Sequence, residues 1–402
     1  GGLFFGGAGQ SVVFITIPPL ARDLGLNEIQ TGSIFASSAL AWMVFSPYWG
    51  RLSDRRGRKK VVLIGLLGCA LSLILFSSAL TLGTSNVLLG WKLLAVLILA
   101  RMVNGVLGSA TRPAAGAWIA DVTNPEERGA GYGRLNSGFS AGRIVGPAIA
   151  GFLLLISYTL PFYLFSLGLV VTTLVLIGQP SKHKELKSKK EESKLRLSDN
   201  HVWPFLAVAA GMGICNAALV QTASFFFQDI VTPMASNPIT YASIGFMLMA
   251  FGSLLGQLLL ADRLRISPGS LVRYGTLVTG ISLLGISLFN SLTAIYFLFF
   301  FLGLGHGTQS TGLSASLSLS VGQENQGKAN GFMGMILPIG HVVSPILAMP
   351  LYMVSPTYPY LLGFIIMFFT LLFVEKNSRH KWIRNKGYRR VPHDQNQAVE
   401  EG

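Results

Sequence analysis

The 402-residue chain is short of charge. Asp, Glu, Lys and Arg make up 12% of it, against about a quarter in an ordinary soluble domain. With 51% hydrophobic residues and a mean hydropathy of +0.54, that shortage excludes a disordered chain and argues against a soluble globular enzyme. Cysteine is scarcer still. Cys69 and Cys215 are the whole supply and fall in different apolar runs, so no disulfide framework is written into the sequence. No nucleophile–base pair and no metal-ligand cluster occurs at usable spacing, so neither an enzyme nor a bound cofactor is expected. Carboxylates are missing from the centres of the apolar runs. Each of the 17 Asp and Glu residues lies in a loop, at the end of a run, in a linker or in the tail, and Asp229 comes nearest to an exception.

What the chain has instead is long apolar runs. Twelve are legible, at approximately 3–20, 32–50, 61–82, 94–119, 135–156, 159–179, 204–228, 239–261, 274–291, 293–315, 331–354 and 358–375. A helix needs about 20 such residues to cross about 30 Å of hydrocarbon. The runs are too continuous for barrel strands, which alternate every second residue. The expected fold class is therefore an all-α polytopic membrane protein with twelve transmembrane helices. The first run starts at residue 1, which suggests a first helix shortened at its beginning.

The net charge of +14 is mostly topology. Of the 31 Lys and Arg residues, 26 fall in alternate inter-span segments or the tail, two (Arg22 and Lys92) in the remaining loops, and three (Arg101, Arg112 and Arg143) within spans. The positive-inside rule then places both termini in the cytoplasm. The basic runs face anionic lipid, and nucleic acid is not expected as a partner. A charged segment, 180–202, divides the chain into six-span halves, 1–179 and 203–375, followed by a basic tail, 376–402.

The halves repeat one another. Glu126-Glu-Arg-Gly129, Gly133 and Gly142-Arg-Ile-Val-Gly146-Pro147 match Glu324-Asn-Gln-Gly327, Gly331 and Gly340-His-Val-Val-Ser344-Pro345 at a constant offset of 198 residues. Parallel six-helix repeats describe one of the known transporter architectures, with the site at the repeat interface near the midplane.

These residues carry a family resemblance. Gly50-Arg-Leu-Ser-Asp54-Arg55-Arg-Gly57-Arg58-Lys-Lys60 resembles motif A of the major facilitator superfamily, and Arg101-Met-Val-Asn104-Gly105 resembles its fourth-span signature. Gly142-x-x-x-Gly146-Pro147-x-x-x-Gly151 is similar to the fifth-span signature of the twelve-span drug:proton antiporters. Pro18–Asp23 and Gly116–Asp121 resemble tetracycline-efflux-like members. The resemblance implies two pseudo-symmetric six-helix bundles that rock about a central site, a bacterial inner (plasma) membrane location, a proton as coupling ion and function as a monomer. It also implies a conformational latch in which Asp54 faces the amino end of span eleven, near Gly327–Gly331, with Arg58, Asp121 and Arg128 extending the charge network. A helix amino terminus favours a carboxylate there. The family's acidic position in span one falls at Gly6, which removes a carboxylate proton carrier from that helix.

The other candidates come from the residues themselves. Gly138, Gly142, Gly146 and Ala150 form a small-residue ridge for close helix packing, with Gly151 beyond it, while Pro147 and its repeat partner Pro345 interrupt the backbone ladder. On an ideal helix Arg101 and Arg112 lie within about 20° of one stripe and about 16 Å apart, with Gly105 and Gly108 leaving room between them. Charges inside a bilayer cost several kcal/mol and normally face a polar cavity. His306 and His341 are the titratable groups at the midplane, with an unperturbed pKa near about 6.5. Gln10, Asn104, Asn216, Gln221 and Gln309 are candidate cavity donors.

The expected function is secondary transport of a small organic solute by alternating access, with proton-coupled efflux as the leading form. The arginines and histidines without a midplane carboxylate support an alternative, transport of an anion such as an organic acid, a phosphorylated compound or a carboxylate siderophore, in either direction. A non-transporting sensor on a transporter fold is the third reading.

Overall fold

A capping box starts the second helix: Asn27 Oδ1 accepts from the Gln30 amide at 2.8 Å and Gln30 Oε1 accepts from the Asn27 amide at 2.9 Å. That helix, α2 (Glu28–Arg56), hands over to α3 (Arg58–Thr84) through the single residue Gly57 at φ 97°, a conformation that a side chain would strain. The computed structural model describes residues 1–122, 128–154, 156–179, 195–231, 238–262, 266–321 and 326–378. Most of the linker and of the basic tail, together with Glu126 and Glu324, therefore lies outside the described residues.

The remaining helices of the first half are α1 (Gly2–Asp23), α4 (Gly90–Leu107), α5 (Thr111–Val122), α6 (Arg128–Leu154) and α7 (Leu160–Gly178). The second half has α8 (Trp203–Phe226), α9 (Pro238–Asp262), α10 (Pro268–Leu288), α11 (Leu292–Ser320), α12 (Gln326–Ile336), α13 (Ile339–Val354) and α14 (Tyr358–Ser378). A 3₁₀ turn, Gly108–Ala110, joins α4 to α5, and a π-helical turn, Phe227–Val231, extends α8. Since α4–α5 and α12–α13 each make one pass, the described helices give twelve passes, six per half. The protein is an all-helical, polytopic integral membrane protein.

Ten of the passes are long and apolar enough to cross a bilayer by themselves, while α2 falls short. Its position explains how it persists: α2 packs on α13 of the opposite half, as α6 packs on α9, so polar residues on these helices face protein rather than lipid. By contrast α3 presents Ile64, Leu67, Leu71, Ile74 and Leu75 outward at helical spacing, the stripe expected of a lipid-facing surface.

The sequence repeat has a structural counterpart. A methyl group added to Gly142 would run into the Phe4 carbonyl of α1, and one added to Gly340 would run into the Gly213 carbonyl of α8. Thus α6 meets the first helix of its own half as α13 meets the first helix of the other, backbone against backbone. A methyl on Gly146 would likewise lie 2.8 Å from the Ala8 Cα. The ridge does not continue to Gly138, which has open space around it, while a methyl on Gly151 would lie 2.9 Å from Ser243 of α9 across the halves.

Contacts between the halves concentrate toward one end of the bundle. A methyl on Gly32 of α2 would lie 3.0 Å from Met349 and 3.1 Å from Pro345 of α13, so Pro345 is part of this packing. Ser224 Oγ donates to the Phe14 carbonyl at 3.4 Å, and Phe14 also packs on Phe35 with centroids 4.8 Å apart. This is the end opposite the basic segment 51–60, here called the distal end.

Candidate functional site

At the distal end α1 finishes with Arg22, and the π-helical turn after α8 carries Asp229. Arg22 engages both oxygens of Asp229, Nη2 to Oδ2 at 2.9 Å and Nη1 to Oδ1, and also donates to Glu28 Oε1 from Nε at 2.9 Å and Nη2 at 2.5 Å. Tyr352 of α13 donates to Asp229 Oδ2 at 2.7 Å, and the guanidinium sits 4.6 Å over the Phe225 ring. A planar fork between two carboxylates is the geometry in which arginine pairs most strongly. The pair is about three-quarters buried on both sides, 28% and 27% exposed, and it ties one half to the other. Sequence reasoning used both residues only as topological markers. Their equivalent positions, opposite in sign at the ends of the first helix of each half, were the available signal.

At the basic end the charges pair within the first half. Arg58 binds Asp54, donates to Asp121 Oδ2 at 2.9 Å and to Ser53 Oγ at 2.8 Å. Asp54 is 55% exposed. The expected partner surface near Gly327 belongs to the start of α12, where residues 322–325 lie outside the described set, as does the Arg128 side chain. Arg55 is exposed, and a methyl on Gly50 would make ordinary contact with Pro113 at 3.9 Å. Among the described residues, the Asp54 network holds α2, α3 and α5 together and no ion pair joins the halves at this end.

Between the ends lie the charged residues of the spans. Arg143 and Arg112 are exposed to solvent although both sit deep in the bundle. Arg143 is within electrostatic reach of Arg112, of His306 on α11 and of His341 on α13, and His341 is also within reach of Arg101. Solvent-exposed arginines with titratable neighbours on both halves mark an open cavity between them. Arg112 lies 4.5 Å over the Phe139 ring, and the Arg143 carbonyl accepts from Ser11 Oγ at 3.4 Å. The His341 ring stacks on Phe14 with centroids 5.2 Å apart, and its Nδ1 lies 3.1 Å from Gln221 Nε2. With the amide donating, the ring proton sits on Nε2, the tautomer assigned by the bonding partner; Gln221 Oε1 is buried without a partner.

The expected stripe from Arg101 to Arg112 is corrected. The 3₁₀ turn at Gly108–Ala110 adds about 20° per residue over an α-helix, so its three residues rotate Arg112 by about 60° relative to Arg101. Arg101 is 4% exposed and packs beside Cys69, while Arg112 faces the cavity. Gly105 and Gly108 leave no room for a ligand: Gly105 abuts Ser38 and Ala41 of α2, and Gly108 abuts Cys69 and Asn104.

The amides divide. Asn104 reaches Cys69 Sγ at 3.6 Å inside the first half, and Gln309 donates to Thr276 Oγ1 at 2.9 Å inside the second, fully buried. Neither lines the central cavity. Asn216 and His306 line a small void within the second half, beside Thr279. Gln10 is half-buried on α1. Pro147 is buried in α6, which runs helical through it; the eleventh pass breaks instead at Leu337-Pro338.

The family model described as Major Facilitator Superfamily matches residues 1–266 and 230–392. Multidrug resistance protein 1 of Bacillus subtilis (strain 168) is 27% identical over 371 residues, covering 89% of this chain and 90% of that protein. Quinolone resistance protein NorA of Staphylococcus aureus (strain MSSA476) is 25% identical over 385 residues, 93% and 94% of the two chains. A solved bacterial homologue of the human lysosomal transporter Spinster, in an inward-facing and occupied conformation, superimposes with a TM-score of 0.72 at 14% identity over 94% of this chain and 95% of that one.

Proposed function

Because the chain belongs to the Major Facilitator Superfamily, and is thus a transporter of small molecules across a bilayer rather than an enzyme, we propose that it exports a small organic solute in exchange for protons. The observation that carries this reading is the closure at the distal end, where Arg22 of one half holds Asp229 of the other, while Arg112 and Arg143 are open to solvent. A two-bundle protein sealed at one end and loaded with exposed charge at its centre is one of the two states that alternating access requires. The names of the multidrug and quinolone resistance relatives support efflux. The basic end is cytoplasmic by the positive-inside rule, which places both termini there, makes the cavity inward-facing and makes a bacterial inner membrane the natural setting. A single chain contains both halves and the whole cavity, so it works as a monomer.

His341 is the group assigned to the proton. It faces the cavity cations, stacks on Phe14 of the opposite half and is oriented by Gln221, so a change in its charge is felt by both bundles. Turning the Gln221 amide would offer Oε1 to Nδ1–H and allow both ring nitrogens to carry protons.

The experiment is transport by the full chain in proteoliposomes, with a quinolone and aromatic dyes of either charge as probes and an imposed pH gradient. Uphill movement of a probe that stops when an ionophore collapses the gradient is the expected result; movement indifferent to the gradient would sink proton coupling. His341→Gln is expected to lower gradient-driven uptake about tenfold or more while leaving probe-for-probe exchange within about twofold. Equal loss of both would assign His341 to solute binding or structure instead.

A further inference from the structure

Among the described residues, three guanidinium groups within the spans lack a counter-charge. Among the described residues Arg101, Arg112 and Arg143 make no ion pair, and no carboxylate acts electrostatically on any of them or on His306 and His341. Arg101 is the most telling, since it is more than nine-tenths buried and its Nε has no hydrogen-bond partner. Arg112 lies over the face of Phe139. Elsewhere the protein pairs its arginines carefully: Arg22 has two carboxylates and Arg58 has two. Arg112 and Arg143 stand within electrostatic reach of each other in the open cavity and repel, while Arg101 is a buried charge, costly to hold without a partner. Such a cluster is kept where an anion is meant to complete it.

We propose that the transported solute is an organic anion, a carboxylate or phosphate monoester on an apolar body, whose charged group is held by Arg143 and Arg112 at the centre of the cavity. The inference rests on the transporter reading above and names the class of solute for the same cavity. The guanidinium fork matches the two oxygens of a carboxylate or phosphate. Phe139 beneath Arg112 supplies an aromatic wall for the apolar part. His341, with its proton on Nε2, adds a donor from the opposite half, so a bound anion would touch both bundles, as a solute that couples their motion must.

The test uses one ring with four substituents: 2-naphthoate and 2-naphthyl phosphate against 2-naphthamide and 2-naphthylmethylamine. Binding to the purified full chain is read by the ligand-dependent shift of its thermal midpoint. The two anions are expected to bind about tenfold or more tighter than the amide and the amine. Arg143→Gln and Arg112→Gln each weaken the anions by about tenfold and leave the amide unchanged, with Arg143→Lys in between. The two glutamine variants change exposed side chains, so folding is not at stake, and the unliganded midpoint verifies it.

Equal binding of all four compounds, or anion binding indifferent to both glutamine variants, overturns the proposal. So does occupancy by phosphatidylglycerol that neither small anion displaces, which would make the ligand a lipid headgroup. Gradient-driven transport of the amine in preference to the anions overturns this inference and leaves the transporter reading standing. Anion binding through the arginines without transport of any probe supports the inference and counts against the transporter reading.

Discussion

Replacing Arg22 with alanine opens the distal end of the molecule. The variant leaves Asp229 and Glu28 facing each other without the cation that bridges them, and it strips Phe225 of the charge above its ring. Removing one partner of a fully buried pair costs about 3–5 kcal/mol; with a quarter of each side chain exposed, about 2 kcal/mol is the appropriate scale. That cost falls on the closed state alone, because the pair spans the halves and is broken when they part. The ratio of open to closed molecules therefore rises about 30-fold. Ser224 provides the reporter, being 2% exposed at the sealed end with its hydroxyl on the Phe14 carbonyl. In a background with the two buried cysteines, Cys69 and Cys215, changed to serine, Ser224→Cys should react with a membrane-impermeant maleimide about 30-fold faster when Arg22 is alanine. Exchanging the charges, Arg22→Asp with Asp229→Arg, should restore slow labelling. An unchanged rate in Arg22→Ala would show that apolar packing around Phe14, Gly32 and Gly151 seals this end without help from the ion pair.

The same pair shows where sequence reading reaches its limit. The twelve passes were legible because each is an apolar run of nearly the right length, and even α2, which falls short by hydropathy, was marked by the motif at its end. The 198-residue offset carried through to backbone contacts, with Gly142 and Gly340 placed alike. The helix interruptions were not legible. Nothing in Gly108-Ser-Ala110 forbids an α-helix, and the 3₁₀ turn there follows from the close approach of α3, where Gly65 and Gly68 meet Thr111 and Leu107. Proline was an equally poor guide: α13 runs through Pro345 and Pro350 but the pass breaks at Pro338. Arg22 and Asp229 lie 207 residues apart, so each alone reads as an ordinary charge at a membrane surface. Candidate cavity residues sorted by burial, which spacing does not encode. Arg112 and Arg143 turned out to be open, whereas Asn104 and Gln309 are committed to packing inside single halves.

Gly142→Ala should be among the most damaging single methyl groups in the protein, and Gly138→Ala one of the least. Both sit on α6, four residues apart on one small-residue ridge, although only Gly142 belongs to the repeat and to the fifth-span signature. A Cβ at Gly138 meets nothing within 4 Å, so alanine there should be neutral or stabilise by up to about 1 kcal/mol through helix propensity. A Cβ at Gly142 collides with the Phe4 carbonyl and lies 3.0 Å from the Ala8 amide nitrogen, both backbone atoms that no rotamer change can move. The helices must separate, at a cost of about 3 kcal/mol, the upper end of the overpacking range, and the thermal midpoint of the purified protein should drop accordingly. Because the obstruction is main chain, trimming the Phe4 side chain to alanine should not rescue it. Gly340→Ala, whose Cβ meets the Gly213 carbonyl, should reproduce the defect in the other half. A midpoint for Gly142→Ala equal to that of Gly138→Ala would mean that α1 and α6 can part at little cost. The ridge would then be a sliding surface rather than a fixed contact, and Arg143, one residue along from Gly142, would move with it.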